Sequence, residues 1–359
     1  MAKTTIEWTE YTWNPITGCD VTSPGCKNCY AMKLAGTRLR NHASRAGLTR
    51  ATSAGPVWNG EVRFNEEWLD QPFRWTRPRM VFVCAHGDLF HESVPDEWID
   101  RVFAVMARAR QHTYQVLTKR ADRMLEYFSR RDRHGLVLAA SHDIGWAGME
   151  WCPWPLPNVW IGVSVEDQKR ADERIPKLLQ VPAVVRWISA EPLLGPVDLT
   201  SIQWGGIGTS MLQGWTGQED GLHWVVAGGE SGPGARPMHP DWARSLRDQC
   251  AAAGVPFLFK QWGEWRPISE GESDWFSSLY VSRRRAREGE DQAIVDEMQG
   301  RRCTVAQAVI HQDGTVFEDI AAFGAYQQGT GAMLTFATGK KAAGRMLDGR
   351  THDEFPGAR

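Results

Sequence analysis

The chain lacks the features that would place it in a membrane or stabilise it with disulfide bonds. No uninterrupted apolar stretch approaches the roughly 20 residues needed to span a bilayer. Seven cysteines occur without a signal peptide, and four of them are scattered along the chain. Lysine and arginine total 41 against 43 acidic residues, so the net charge of -2 provides no general attraction to polyanions. We therefore expect a cytoplasmic protein with no membrane partner, in which any nucleic-acid contact comes from a local patch.

Several familiar catalytic motifs are also missing. No G-x-S-x-G elbow and no P-loop occur, so the usual signals of hydrolases and kinases are absent. The glycine-rich run over 228–234 continues into Pro233 and does not open a helix with the spacing of a dinucleotide-binding fingerprint. His86 and His91 are five residues apart, unlike the histidines of an H-E-x-x-H helix, although with Asp88 they are candidates for a separate metal site.

Short apolar runs alternate with helical patterns after residue 80. Runs rich in β-branched or aromatic residues predict strands buried on both faces, over residues 80–84, 114–117, 159–163, 184–188, 224–227 and 257–259. Helical spacing follows residue 95 and covers 120–130, 166–180 and 240–253, where Gly254 is a candidate C-cap. This alternation predicts right-handed βαβ units and a parallel sheet, open or curled into a full or partial barrel. Insertions interrupt it at about 35–60, 200–222 and 266–330.

Polar residues follow each predicted strand, at the edge of the sheet where α/β proteins place their sites. In chain order they are His86, Asp88, His91, Thr118, Lys119, Arg120, Ser164, Glu166, Ser189, Glu191, Glu230, Ser231, Lys260 and Gln261. Helix capping or loop solvation explains any one of them. The repetition of glutamate and lysine at equivalent positions around one rim favours a binding site.

The strongest chemical signal is a loop with the spacing C-x6-C-x2-C near the N-terminus. Its cysteines are Cys19, Cys26 and Cys29. A glycine and a Pro-Gly pair interrupt the loop, which lets it fold three thiolates around one inorganic centre. A four-iron cluster held by three thiolates keeps one iron free for a small molecule, whereas structural zinc normally takes a fourth protein ligand, for which His42 is a candidate. The spacing alone does not choose between these metals.

Two resemblances extend this interpretation. A three-cysteine loop ahead of a (β/α) series resembles the radical S-adenosylmethionine superfamily, although the most frequent motif there is C-x3-C-x2-C and the first gap here is six. WNPITGC (13–19) and PGCKNCYA (24–31) look like the phage and bacterial three-Cys-motif family, commonly described as phage proteins of unassigned function. Further matches to that family are DLFH (88–91), LTKR (117–120), WIGVSVE (160–166), SAEPLLG (189–195), GGESG (228–232), KQWG (260–263), GRMLDGR (344–350) and FP (355–356).

The resemblance implies a radical S-adenosylmethionine enzyme built on a partial (β/α)6 barrel with insertions. The three loop cysteines would hold a [4Fe-4S] cluster, and its free iron would bind the amino and carboxylate groups of S-adenosyl-L-methionine. After reduction by an electron donor, the cluster would cleave this cofactor to methionine and a 5′-deoxyadenosyl radical. The expected cofactor contacts, which supply acceptors for the ribose hydroxyls and ammonium, are Asp88, Ser164, Glu166 and Glu230.

The expected substrate is a nucleotide or nucleic acid, since lysine and arginine at the rim suit phosphate. The expected substrate contacts are Lys119, Arg120, Glu191 and Lys260. Ion pairs between these cations and the rim carboxylates are the alternative. The order of segments is also similar to that of spore photoproduct lyase and its relatives, which act on thymine lesions in DNA.

The expected organisation is a barrel with its cysteine loop over residues 1–265, an inserted subdomain over 266–330 and a C-terminal segment over 331–359 that packs back on the barrel. In that segment Arg345 and Arg350 are candidates to fold over the rim. The alternative function is a zinc- or cluster-bearing protein that binds nucleic acid or a partner without radical activity. No catalytic residue is identified from the sequence.

Overall fold

An eight-stranded sheet forms the centre of the fold in the computed structural model, which describes residues 2–143, 151–213 and 220–357. Its strands are β1 (Ala2–Lys3), β2 (Tyr11–Trp13), β3 (Met80–Val83), β4 (Thr113–Thr118), β5 (Val159–Ser164), β6 (Val185–Ala190), β7 (Trp224–Gly228) and β8 (Phe257–Gln261). They lie side by side in chain order. β1 pairs antiparallel with β2, and the seven strands from β2 to β8 are parallel and curl into a half-barrel. The fold is therefore mixed α/β.

The six predicted strands are confirmed as β3 to β8, each within a few residues of its expected bounds. The sequence pattern missed β2, which pairs Tyr11 with Val81 of β3 and adds the seventh parallel strand. Three residues are too few to show a periodicity, so this strand is defined by its pairing with β3 rather than by its own composition.

Helices connect the parallel strands. The helices that precede or follow these strands are α1 (Tyr30–Gly36), α2 (Asp96–Arg108), α3 (Ala121–Ser129), α4 (Arg133–Asp143), α5 (Gln168–Leu179) and α6 (Pro240–Ala253). Further helical segments lie in the loops and insertions, at Pro24–Cys26, Glu66–Trp68, Gln71–Arg74, Ile268–Glu270, Ser273–Ser278, Gln292–Gln299 and Lys340–Ala343. Helices α2, α3, α5 and α6 were predicted, and α6 ends at Gly254 in the left-handed conformation expected of a C-cap.

Helix α4 was missed because a buried ion pair, rather than a clear apolar stripe, holds it in place. Its first residue, Arg133, is 1% exposed and donates hydrogen bonds to Asp100 of α2 at 2.9 and 3.2 Å. The Tyr127 hydroxyl donates to the same carboxylate at 2.8 Å. Such long-range pairing leaves no periodic signal in the segment itself.

Side chains on each strand alternate between the two faces of the sheet. One face packs against the helices in the main hydrophobic core, which includes Ile188, Val225 and Phe259. The opposite face carries a smaller cluster made of Trp8, Trp187, Trp224, Val226 and Leu258. The Trp8 ring packs edge-on against Trp187 with ring centroids 5.2 Å apart. Several of the 18 tryptophans therefore fill the concave side of the half-barrel.

The insertions carry small antiparallel sheets. Hairpins pair Thr49–Thr52 with Gly55–Trp58 and Ile202–Trp204 with Ile207–Thr209. Tyr280–Ser282 pairs antiparallel with Arg301–Cys303 across an intervening helix. Ile16–Thr17 pairs with Arg63–Phe64. A four-stranded sheet contains Trp265–Pro267, Met333–Ala337, Gln307–Ile310 and Val316–Phe317, in that order. It joins residues on both sides of the expected boundary at 330, and the proposed division into domains stays a prediction.

The C-terminal segment lies along β8, the last strand of the sheet. The Phe259 amide donates to the His352 carbonyl at 3.0 Å, and the Trp224 indole donates to the Glu354 carbonyl at 2.8 Å. The Glu354 amide also donates to the Phe257 carbonyl at 3.3 Å, so the segment covers the backbone of an otherwise open edge strand. No helix among the described residues combines the length and the hydrophobicity of a membrane span.

Candidate functional site

A cavity of about 270 Å³ lies between the carboxyl ends of the parallel strands and the cysteine loop. It brings together the three loop cysteines and all of the expected cofactor and substrate contacts except Glu166. These are Cys19, Cys26, Cys29, Asp88, Lys119, Arg120, Ser164, Glu191, Glu230 and Lys260. The apolar side chains of Trp8, Phe82 and Leu117 form its floor. Residues from distant parts of the sequence thus meet in one place because parallel strands end at one edge of the sheet.

The three loop cysteines face this cavity as free thiols. Tetrahedral zinc with Zn–S bonds of about 2.3 Å holds its sulfur atoms roughly 3.8 Å apart. Across residues 2–143, 151–213 and 220–357, the three sulfur atoms are not grouped within 4.8 Å of one another, so the loop is not folded as a mononuclear metal site. His42, the candidate fourth zinc ligand, is exposed on another cavity, where its Nδ1 lies 2.7 Å from Ser44 Oγ.

The thiols differ in how readily they ionise. Burial raises the pKa of Cys19 to about 12 and also raises the pKa of Cys29. Burial acts in the same direction on Cys26, but the Lys119 ammonium and hydrogen bonds within the loop outweigh it and lower the pKa of this thiol. Cys26 is therefore the cysteine of the loop that ionises first, and a bound cation would favour ionisation of the other two.

Glu166 anchors the cysteine loop from below. The side chain is fully buried and accepts hydrogen bonds from Ser23 Oγ at 2.5 Å and from Arg174 Nη1 at 2.9 Å. Lys119 Nζ lies 3.1 Å from the same carboxylate. Burial raises the pKa of Glu166, but Lys119 and Arg174 outweigh it and lower the pKa to about 2. A Cβ added at Gly25 would lie 2.5 Å from this carboxylate, so the loop backbone approaches closely only because residue 25 has no side chain.

Glu230 holds the other side of the loop. Its Oε2 accepts a hydrogen bond from the Asn28 amide at 2.9 Å, and Arg236 forms an ion pair with Oε1 at 2.6 Å. Arg236 also donates to the carbonyl of Pro24 at 3.0 Å. The preceding Gly229 is required for packing, because a Cβ there would lie 2.0 Å from the carbonyl oxygen of Trp262. Gly229 thus allows close packing of backbone, whereas a Cβ at Gly228 would lie 2.7 Å from the side-chain oxygen Oε1 of Glu191.

Asp88 and Arg120 form the third attachment point. Asp88 accepts hydrogen bonds from Thr118 Oγ1 at 2.7 Å and from Arg120 Nη1 at 3.1 Å. Arg120 Nη1 also lies 3.5 Å from Cys19 Sγ, and the same guanidinium pairs with Asp20 in the loop. Carboxylates at the ends of β3, β5 and β7 therefore tie the cysteine loop to the half-barrel through basic or polar partners.

The predicted substrate cations already have carboxylate partners within the protein. Lys119 pairs with Glu166, and Lys260 Nζ lies 3.1 Å from Glu191 Oε1. Arg120 contacts Asp88, Asp20 and, at 2.7 Å, Glu92. These contacts match the alternative in which the rim cations form ion pairs with rim carboxylates. Arg345, expected to fold over the rim, pairs with Asp353.

One further group of ligand atoms lies beside the cavity. Single ligand atoms of Asp20, His91 and Glu92 lie within 4.8 Å of one another. Arg120 bridges the two carboxylates and supplies a positive charge to this group. His86, the other histidine of the proposed separate metal site, lies on the wall of a different cavity.

The sequence patterns missed several residues of the site. Arg174 and Arg236 are the cations that neutralise the buried glutamates, and each is separated in sequence from the loop residues it helps to hold. Cys84 also lines the cavity and has a φ of 58°, which is unusual for a residue other than glycine. The ion pairs of the two arginines and the backbone conformation of Cys84 have no local sequence signal, because they depend on which segments meet at the strand ends.

The fold and the cavity define a mixed α/β protein with a candidate site at the strand ends, lined by three thiols and strand-end carboxylates. The chain matches, over residues 3–356, the family described as "Protein of unknown function (DUF5131)", and it belongs to that family. No curated protein and no solved structure matches the chain.

Proposed function

We propose that the protein is a radical S-adenosylmethionine enzyme and that its half-barrel is a partial (β/α)6 barrel of that type. Cys19, Cys26 and Cys29 would hold a [4Fe-4S] cluster. The observation that supports this proposal is that one loop directs three free thiols into a cavity at the carboxyl edge of a curled parallel sheet. When bound and reduced, such a cluster supplies the electron that cleaves S-adenosyl-L-methionine to methionine and a 5′-deoxyadenosyl radical.

The charged residues around the loop prepare it for thiolate ligands. Lys119 favours the thiolate of Cys26, and Arg120 Nη1 at 3.5 Å from Cys19 Sγ favours the thiolate there. Cluster ligation requires deprotonated sulfur, so these cations offset the negative charge that accumulates on the loop. The apolar side chains of Trp8 and Phe82 line the inner side of the cavity, where exclusion of water would suit radical chemistry.

The proposed cofactor contacts are the polar side chains that line the cavity. Ser164 is 4% exposed, lines the cavity, and its hydroxyl makes no hydrogen bond to the described part of the chain. It is the group best placed to accept or donate a hydrogen bond to the cofactor. Asp88 and Glu230 line the same wall and offer their remaining lone pairs. Glu166 lies beneath the loop, where it acts as a positioning residue.

The proposed substrate is a nucleotide or nucleic acid. Its contacts would be four residues of the cavity wall, Lys119, Arg120, Glu191 and Lys260. A phosphate there would have to compete with the carboxylate partners of these cations. Binding of DNA, RNA and free nucleotides, titrated against salt, tests the point, because phosphate contacts weaken steeply as salt rises. Absence of salt-sensitive binding by all three would indicate a peptide or a small metabolite instead.

The decisive experiment is anaerobic purification followed by metal and product analysis. We expect brown protein containing iron and sulfide that forms 5′-deoxyadenosine when dithionite and S-adenosyl-L-methionine are added. Colourless protein that contains only zinc would replace this proposal with the metal-bearing binding protein. Iron and sulfide without 5′-deoxyadenosine would leave a cluster protein that has no radical activity.

A further inference from the structure

A second cavity, of about 250 Å³, lies beside the first and is lined by His42, Ser44, Arg45, Trp68 and His86. The two cavities are separated by an aromatic pair. Tyr30 lines the first cavity, and its ring packs edge-on against His86 with centroids 5.8 Å apart. No carboxylate is among the residues that line the second cavity within the described ranges.

The most unusual residue of this cavity is Arg45. It is only 5% exposed, and its Nη1 donates to the carbonyl and hydroxyl oxygens of Ser44 at 3.2 and 2.7 Å. Its Nε is buried and has no hydrogen-bond partner. Among the residues that the structure describes, Arg45 forms no ion pair with a carboxylate, whereas the buried Arg133 and Arg174 do. Burial lowers the pKa of Arg45 to about 10, which still leaves the guanidinium charged near neutral pH.

A buried guanidinium without a counter-charge is unfavourable unless a ligand supplies the charge. The neighbouring groups fit an oxyanion. The Ser44 hydroxyl, bonded to Arg45, also lies 2.7 Å from His42 Nδ1, and His42 is exposed at the cavity wall. Trp68 provides an aromatic face, with Arg45 Cζ 5.9 Å from its ring centroid.

Phosphate matches these donors better than a carboxylate does. A tetrahedral phosphate offers acceptor oxygens in several directions, and the guanidinium, hydroxyl and imidazole approach from different side chains. The indole and the apolar wall can hold an organic group attached to the phosphate. The cavity and its buried cation would exist whether or not the neighbouring loop carries a cluster.

We infer that the second cavity binds the phosphate group of a small molecule, with Arg45 and Ser44 as the principal contacts and His42 at the entrance. The inference is independent of the proposed radical chemistry. Arg45 has no carboxylate partner in the described structure, so it is the cation assigned to anion binding. The lysines and arginine at the strand ends already pair with carboxylates.

The test measures binding to the full chain by calorimetry and by thermal melting at constant ionic strength. The probes are inorganic phosphate, AMP and, as a carboxylate, acetate. We expect phosphate and AMP to bind and to raise the melting temperature, and acetate to bind more weakly. Binding that is weakened in Arg45→Met supports the inference in either of two forms. If AMP binds more tightly than inorganic phosphate, the ligand is a phosphorylated organic molecule, and if the two bind equally, it is free phosphate.

The variant that tests the contact is Arg45→Met, with Arg40→Gln as the matched control, because Arg40 is exposed on the same segment and does not line the cavity. Losing a charge-assisted contact should weaken phosphate binding about tenfold or more in Arg45→Met and leave the control unchanged. If Arg45→Met does not fold, Ser44→Ala keeps the cation and should weaken binding severalfold. Absence of phosphate binding by the parent protein, equal binding of acetate, or unchanged binding in the Arg45 or Ser44 variant would overturn the inference.

Discussion

The buried carboxylate of Glu166 offers the sharpest test of how the cysteine loop is held. In Glu166→Gln the side chain keeps its size but loses its charge, so Lys119 and Arg174 lose the group that both contact, at 3.1 and 2.9 Å. Ser23 Oγ, which donates to the same carboxylate at 2.5 Å, connects this change directly to the loop. The variant should therefore destabilise the folded protein and loosen the loop together.

The expected magnitude follows from the burial and the pKa of the carboxylate. Glu166 is 0% exposed, and lowering its pKa from 4.5 to about 2 corresponds to about 3 kcal/mol of stabilisation of the ionised form in the folded protein. Removing one partner of a buried ion pair costs about 3–5 kcal/mol, in agreement with this value. Because the pKa is lowered on folding, the stabilisation is complete above pH 4.5 and is lost as the pH falls towards 2.

The assay is thermal melting of the metal-free protein by circular dichroism at pH 7 and pH 3. A loss of about 3 kcal/mol should lower the midpoint by roughly 4 °C at pH 7 for a chain of this size, and by less at pH 3. The control is Glu126→Gln, since Glu126 has a side chain that is 75% exposed and contacts Arg123 at 3.7 Å; a surface pair of this kind contributes about 0–1 kcal/mol. A Glu166→Gln midpoint equal to that of the control would refute the anchoring role.

Three further predictions concern the site and its surroundings. Cys26→Ala should lack iron and sulfide after anaerobic purification, and full iron retention would contradict the ligand assignment. The control Cys250→Ala changes a buried cysteine outside the cavity and should retain both. Gly25→Ala should lower the melting midpoint and the iron content, because the new Cβ would lie 2.5 Å from a buried carboxylate oxygen. The control Gly135→Ala should lower neither, because no atom lies within 4 Å of its new Cβ, and equal behaviour of the two variants would argue against tight docking of the loop. Truncating the chain after residue 343 should lower the yield of soluble protein, because the truncation exposes the backbone of β8. An undiminished soluble yield would show that this edge strand needs no cover.

Local composition determined the framework of the half-barrel. Parallel strands buried on both faces require short continuous apolar runs, so β3 to β8 could be recognised from sequence, and the carboxyl ends of those strands located the cavity. The spacing of the three cysteines in one loop also placed them together on that cavity. By contrast, β2 could not be recognised, because it has three residues and is defined by its pairing with β3.

Only the tertiary structure decided what the strand-end charges contact. Glu166 meets Ser23 across 143 residues of sequence, and Glu230 meets Asn28 across 202, so nothing local could indicate that these carboxylates fasten the cysteine loop. The same holds for Arg45, whose lack of a carboxylate partner in the described structure is visible only once every neighbouring segment is in place. Periodicity reflects which face of an element is buried, whereas charge pairing depends on the distances between segments that folding brings together.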